Sequence, residues 1–244
     1  MIITRLGLSA LLTRATAAAL RAKAPGERWH RTNYAGRTVE LYAGPAAAVA
    51  VTLGTAYVRP VAALAALAVA AAGACGAYDD VAGDHRRGFR AHLSALRQGE
   101  VTSGAVKLFG IGAAGLVTGA LLKEKPVDKV LAGVVIAGAA HFVNLVDVRP
   151  GRAAAAVLLL GAPGLLREGA DVAAVAMGAA GAVLPDDLGE RAMLGDAGAH
   201  ALGAALGVAV VASNGRAGLV AHAAAVVAAA VCGEQVSEAA RSLV

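Results

Sequence analysis

Hydrophobic residues in this chain come in long unbroken runs rather than in helical or alternating stripes. Nine runs, 2–20, 44–58, 61–77, 103–122, 130–148, 153–166, 171–185, 195–213 and 217–232, are separated by short segments holding charge, glycine or proline. A surface helix of a soluble protein keeps a polar stripe. The 61–77 run, VAALAALAVAAAGACGA, has none at any helical phase. The pattern predicts an all-α, polytopic membrane helical bundle, one integral domain over 1–244, with about nine transmembrane helices. Several runs fall short of the roughly 20 residues that cross the hydrocarbon core, and alanine is only weakly apolar, so the boundaries are soft. Arg5 and Arg14 interrupt the first run, which therefore reads as a rather polar first helix and not as a signal peptide.

Composition agrees. Hydrophobic residues make up 58% of the 244 and charged residues only 16%, against about a quarter charged in soluble domains. Cys75 and Cys232 lie inside apolar runs and form no metal or redox motif. The net charge of +5 is better explained by excess Lys and Arg in cytoplasmic loops than by nucleic acid. With loops 21–43, 78–102, 149–152, 186–194 and the C-terminal tail inside, thirteen Lys and Arg face inward and six outward. That orientation predicts a multi-pass cell-membrane protein. Lys123, Lys125 and Lys129 lie on the wrong side of it.

Polar groups at membrane depth are costly and mark function when they persist. In this topology they gather on the inner face. Asp79 and Asp80 end the third run, Lys107 lies one turn into the fourth, Asn144 and Asp147 end the fifth, and Asp196 begins the eighth. Each has a plain alternative: a solvated helix end for the aspartate pair, a snorkelling lysine, a helix N-cap for Asp196. Asp186–Asp187 reads as a loop turn after Pro185. Together, the carboxylates and one lysine suit Mg²⁺-assisted phosphoryl transfer, in which a hard cation takes oxygen ligands and a lysine meets a phosphate. One of the paired aspartates could act as a base.

The wording around these residues resembles the polyprenyl-phosphate N-acetylhexosamine-1-phosphate transferase superfamily, glycosyltransferase family 4. The matching stretches are NYAGRTVELYAGP (33–45), AYDDVAGD (77–84), TSGAVKLFG (102–110), HFVNLVDVRPGRA (141–153) and MLGDAGAHALGAALG (193–207), in the family's order. The resemblance implies that a membrane polyprenyl phosphate (undecaprenyl phosphate) attacks a UDP-linked amino sugar, releasing UMP with Mg²⁺ as cofactor, in cell-envelope glycan synthesis. It implies catalytic roles for Asp79, Asp80 and Lys107, metal ligation by Asp147 and Asp196, and substrate contacts from Asn33, His141, Asn144, Arg149 and Arg152. The catalytic loops fall near 21–43, 78–102, 149–152 and 186–196, facing the cytoplasm.

Three departures stand out. His141 occupies the place of the first Asn in the family's Asn-x-x-Asn-x-x-Asp motif, and Arg149-Pro-Gly-Arg152 replaces its usual ending. The family's C-terminal histidine loop has no counterpart, so the donor is unusual or activity is reduced or lost, with Arg149, Arg152 or Arg90 available to replace its charge. His85 and His92 face phosphate or solvent, and His200, one turn after Asp196, either orients that aspartate or packs in the core. The alternative from another class is a catalytically silent relative that binds lipid phosphate or scaffolds envelope proteins. A transporter is weaker, since no inverted repeat is visible. Small residues along the helices, GIGAAGLVTG (110–119) among them, allow close packing and a possible homodimer.

Overall fold

Alanine, leucine and valine favour helix wherever glycine, proline or charge does not interrupt, and a computed structural model of the chain is almost entirely helical. It describes residues 1–24, 26–58, 62–83 and 89–242. The helices among them are α1 (Ile2–Lys23), α2 (Ala43–Thr55), α3 (Ala62–Ala82), α4 (Phe89–Arg97), α5 (Ser103–Leu122), α6 (Pro126–Leu145), α7 (Arg152–Gly161), α8 (Ala170–Leu188), α9 (Gly195–Ser213), α10 (Arg216–Val231) and α11 (Gly233–Ser242). Each of the nine apolar runs coincides with a helix.

Length and apolarity decide which of these could cross a bilayer. Four qualify: α3, α5, α6 and α9. A fifth is reached only if α10 and α11, which meet at 85°, count as one broken span. Nine spans are therefore not confirmed among the described residues. α2 and α7 are too short, α1 carries Arg5, Arg14, Arg21 and Lys23, and α8 carries Asp171, Asp186 and Asp187. Large apolar side chains still face outward around the bundle, among them Leu11, Leu67, Phe109, Leu121, Leu159 and Val227. So broad an apolar surface marks a membrane-associated protein.

α9 is the central post. Its residues from Ala197 to Ala209 are all buried, and α6, α3 and α2 pack along it. Two polar residues of α1 turn inward: Ser9 Oγ donates to the Val175 carbonyl of α8 at 2.7 Å, and Thr13 Oγ1 to the Ser9 carbonyl at 2.8 Å. Gly115 and Gly119, from the glycine-rich stretch of α5, lie against Gly133 of α6.

Charged contacts collect at the two ends. At one, Arg216 pairs with Asp128 at 2.6 Å and Lys123 Nζ donates to the Asn214 carbonyl at 2.9 Å. The other end holds the candidate site. It is covered by an unexpected two-stranded hairpin, β1 (His30–Thr32) and β2 (Thr38–Glu40), with Arg31 opposite Val39. β2 is tied to the approach to α9, because Met193 N–H donates to the Glu40 carbonyl at 2.8 Å.

Candidate active site at the acidic end of the bundle

α3 arrives at this end as α5 and α9 leave it, so the last turn of one helix faces the first turns of two others. Gly76 permits the approach of α3 to α9, since a Cβ there would stand 2.3 Å from the Asp196 carbonyl oxygen. Lys107 Nζ then bridges two helices, reaching Asp79 Oδ2 of α3 at 2.5 Å and Asp196 Oδ2 of α9. The Lys107, Asp79 and Asp196 side chains are 19, 21 and 25% exposed. One cation shared by two carboxylates leaves a net negative charge that solvent only partly screens.

Asp80 does different work from its neighbour. Adjacent helical residues point about 100° apart, and Asp80 faces the start of α9. Its carboxylate accepts the N–H of Asp196 at 3.0 Å and of Ala197 at 2.9 Å. These are two of the donors a helix N-terminus leaves without partners. Asp80 therefore caps α9 from another helix, and Asp196 itself is not the cap. Arg31 of β1 closes the same corner by donating to the Asp80 carbonyl.

A small cleft of about 60 Å³ opens beside this cluster, lined among others by Asn33, Tyr34, Asp147, Arg149, Asp187 and Glu190. Asn33 organises the hairpin turn. Its Oδ1 accepts the N–H of Ala35 at 3.0 Å and of Arg37 at 2.9 Å, while Nδ2 donates to Glu190 Oε2 at 2.7 Å. Arg149 lays its guanidinium 4.2 Å from the centre of the Tyr34 ring. Asp147 lies just past the end of α6. Burial, and after it the charges of Asp187, Asp196 and Asp80, hold its carboxyl well above the usual carboxylate range. Burial likewise pushes Asp187 up to about 6, against a hydrogen bond from Gly151 N–H that favours its charged form. The cleft and the lysine cluster thus form one electrostatic unit.

The structure brings Asp79, Asp80, Lys107, Asp147 and Asp196 to one end, with Asn33 and Arg149 in the adjoining cleft. Other expected site residues do not line the cleft. Asn144 and His141 lie on α6, with His141 within electrostatic reach of Lys107 and His200. Arg152 turns away: its Nε donates to the Ala240 carbonyl of α11 at 3.1 Å. His200 is buried and donates through Nδ1 to the Asp196 carbonyl at 2.8 Å, steadying the backbone of that residue. His92 sits 2.9 Å from Thr102, the N-cap of α5. His85, Arg86 and Arg87 lie outside the described residues, as does the side chain of Arg90.

Sequence reasoning missed Arg31, Tyr34, Asp187 and Glu190. Asp186 and Asp187 are not a loop turn: α8 runs through Pro185 to Leu188, and Asp187 is 3% exposed. A signal was present, because Asp187 continues the buried stripe Val172, Ala176, Ala180, Val183 at helical spacing. Treating proline as a helix stop hid it.

Among the described residues no three His, Cys, Asp or Glu side chains converge on a single cation position. Mg²⁺ commonly takes one or two carboxylates and completes its shell with water and substrate phosphates. An oxygen-only pair is therefore the fitting donor set. Asp147 is a carboxylate whose ionisation is resisted by burial and, after it, by the charges of three other aspartates. No protein-family model matches this chain, and no curated protein is similar enough to count as a relative.

Proposed function

We propose that the protein is a membrane phosphosugar transferase that moves a sugar 1-phosphate from a UDP-amino sugar to a polyprenyl phosphate, releasing UMP. The observation that carries this reading is Lys107 meeting Asp79 and Asp196, residues from three separate helices, at one mouth of an apolar bundle. Intramembrane charges of this kind are expensive unless used. The order of the sequence stretches and the Lys and Arg bias of the loops support the same reading, with the acidic end facing the cytoplasm.

The lipid phosphate oxygen attacks the β-phosphorus of the donor. A new P–O bond forms there, the bond to the bridging oxygen breaks, and UMP leaves. Lys107 exchanges a carboxylate for a phosphate oxygen when substrate enters, and it holds the attacking group beside α9. Asp80 keeps the first turn of α9, and with it Asp196, in place. Arg149, exposed above Tyr34, presents a planar pair of donors suited to phosphate. Mg²⁺, when bound by Asp147 and Asp196, supplies charge neutralisation for the diphosphate.

Purified protein in detergent or nanodiscs should release UMP from at least one UDP-amino sugar only when Mg²⁺ and undecaprenyl phosphate are both present. Asp196→Asn and Lys107→Met should each lower turnover at least about 100-fold, the scale at which loss of one transition-state contact is felt. No UMP from a broad donor panel overturns the reading in favour of a silent lipid-phosphate-binding relative.

A further inference from the structure

Asp187 occupies the last turn of α8, almost fully buried, and lines the cleft from below. Its Oδ2 accepts the Gly151 N–H at 2.9 Å. Gly151 precedes α7 with φ +77°, a left-handed conformation that glycine adopts without strain. A Cβ at Gly151 would also stand 2.5 Å from Leu188 Cδ2. Two consecutive residues of α8 therefore grip one residue of the connection between α6 and α7. That connection carries Asp147 and Arg149, which line the same cleft. Its other backbone bonds are local: Val146 N–H to the Phe142 carbonyl, Asp147 N–H to the Asn144 carbonyl and Arg152 N–H to the Arg149 carbonyl, each 3.2 Å, and Ala155 N–H to the Gly151 carbonyl at 2.8 Å. The bond to Asp187 is the long-range tie on the backbone of Gly151, joining residues 36 apart in the chain, while the side chains of Arg149 and Asp147 reach Tyr34 and the Gly195 backbone.

We propose that Asp187 is a positioning residue for the sugar-nucleotide diphosphate. By accepting the Gly151 N–H it fixes the 146–151 connection so that Asp147 and Arg149 both face the cleft. The assignment of the ligand rests on the transferase reading; the anchoring of the connection does not. The role requires an acceptor oxygen and not a charge. Asparagine keeps that oxygen and alanine removes it, leaving a buried backbone donor without a partner.

The test compares wild type, Asp187→Asn and Asp187→Ala in two measurements. Hydrogen exchange by mass spectrometry follows peptides spanning 146–152, and steady-state kinetics gives KM for the UDP-amino sugar and kcat. Asp187→Asn should keep exchange and KM within about twofold of wild type. Asp187→Ala should speed exchange in that segment about tenfold and raise the donor KM about tenfold, with a smaller change in kcat, the scale of one orphaned buried donor. A merely structural residue would lower the amount of folded protein and leave KM alone. The proposal is overturned if Asp187→Ala exchanges like wild type, or if Asp187→Asn is as damaging as alanine. Should alanine speed exchange while wild type itself turns over no donor, the anchor stands and the transferase reading falls.

Discussion

Asp80 offers the sharpest test of how the acidic end is built, because both of its carboxylate oxygens accept backbone N–H groups of α9. Asp80→Ala strips partners from the Asp196 and Ala197 N–H groups, now accepted at 3.0 and 2.9 Å. Each buried donor left without a partner costs about 1–3 kcal/mol. A lost N-cap costs about 0.5–2 kcal/mol by itself. Since this corner is only half-buried, about 2–4 kcal/mol is the expected total, toward the lower end of two orphaned donors. For a chain of this size that lowers the melting temperature by roughly 5–15 °C. Asp80→Asn retains one acceptor oxygen and should lose about half as much. Thermal unfolding in detergent, followed by circular dichroism, reads the shift directly. Hydrogen exchange should localise the change to the first turn of α9. If Asp80→Ala melts within about 1 °C of wild type while turnover vanishes, Asp80 acts on substrate and the capping argument is wrong.

Three further outcomes follow from the same geometry. Asp187 titrates near 6 when folded and near 3.9 when unfolded. As pH rises the unfolded chain releases that proton first, so the native state loses stability between about pH 4 and 6 and the loss is constant above. The melting-temperature advantage of Asp187→Asn over wild type should grow through that window and then level off; a difference independent of pH refutes the assignment. Mg²⁺ at millimolar concentration should raise the melting temperature of wild type, as any ligand selective for the folded state does, and do so far less for Asp147→Asn; equal shifts in both would remove Asp147 from the cation site. Arg152→Ala should loosen α11 by freeing the Ala240 carbonyl, seen as faster exchange over 233–242, with donor KM unchanged. A raised KM would return Arg152 to the substrate.

Helices were readable because their cause is local. Runs such as 103–122 and 195–213 coincide with α5 and α9 to the residue, since alanine-rich apolar stretches bounded by Thr102 or Asn214 leave the backbone little alternative. The boundary of α6 moved: the 130–148 run became Pro126–Leu145, because proline suits the first helical turn and Asp147 is drawn out toward the cleft. Span number was less legible than helix number. Crossing a membrane needs length and apolarity together, and α1, α2, α7 and α8 lack one or the other. The hairpin at 30–40 escaped notice because strands of three residues show no periodicity, and their pairing depends on a turn held by Asn33.

Which residues carry charge at one end of the bundle was determined by the sequence alone, since the positions of polar groups relative to apolar runs fix their depth along a helix. What each charge does was decided only by tertiary structure. Asp79 and Asp80 are neighbours of identical chemistry, yet one meets Lys107 and the other caps α9. Arg149 and Arg152 differ in the same way, one facing the cleft and one bound to α11. Depth follows from counting along a single chain; a partner depends on which face of the helix a neighbouring helix happens to cover. Asp187 shows the limit plainly, for it became a buried anchor only when α8 continued through Pro185 and carried it against Gly151.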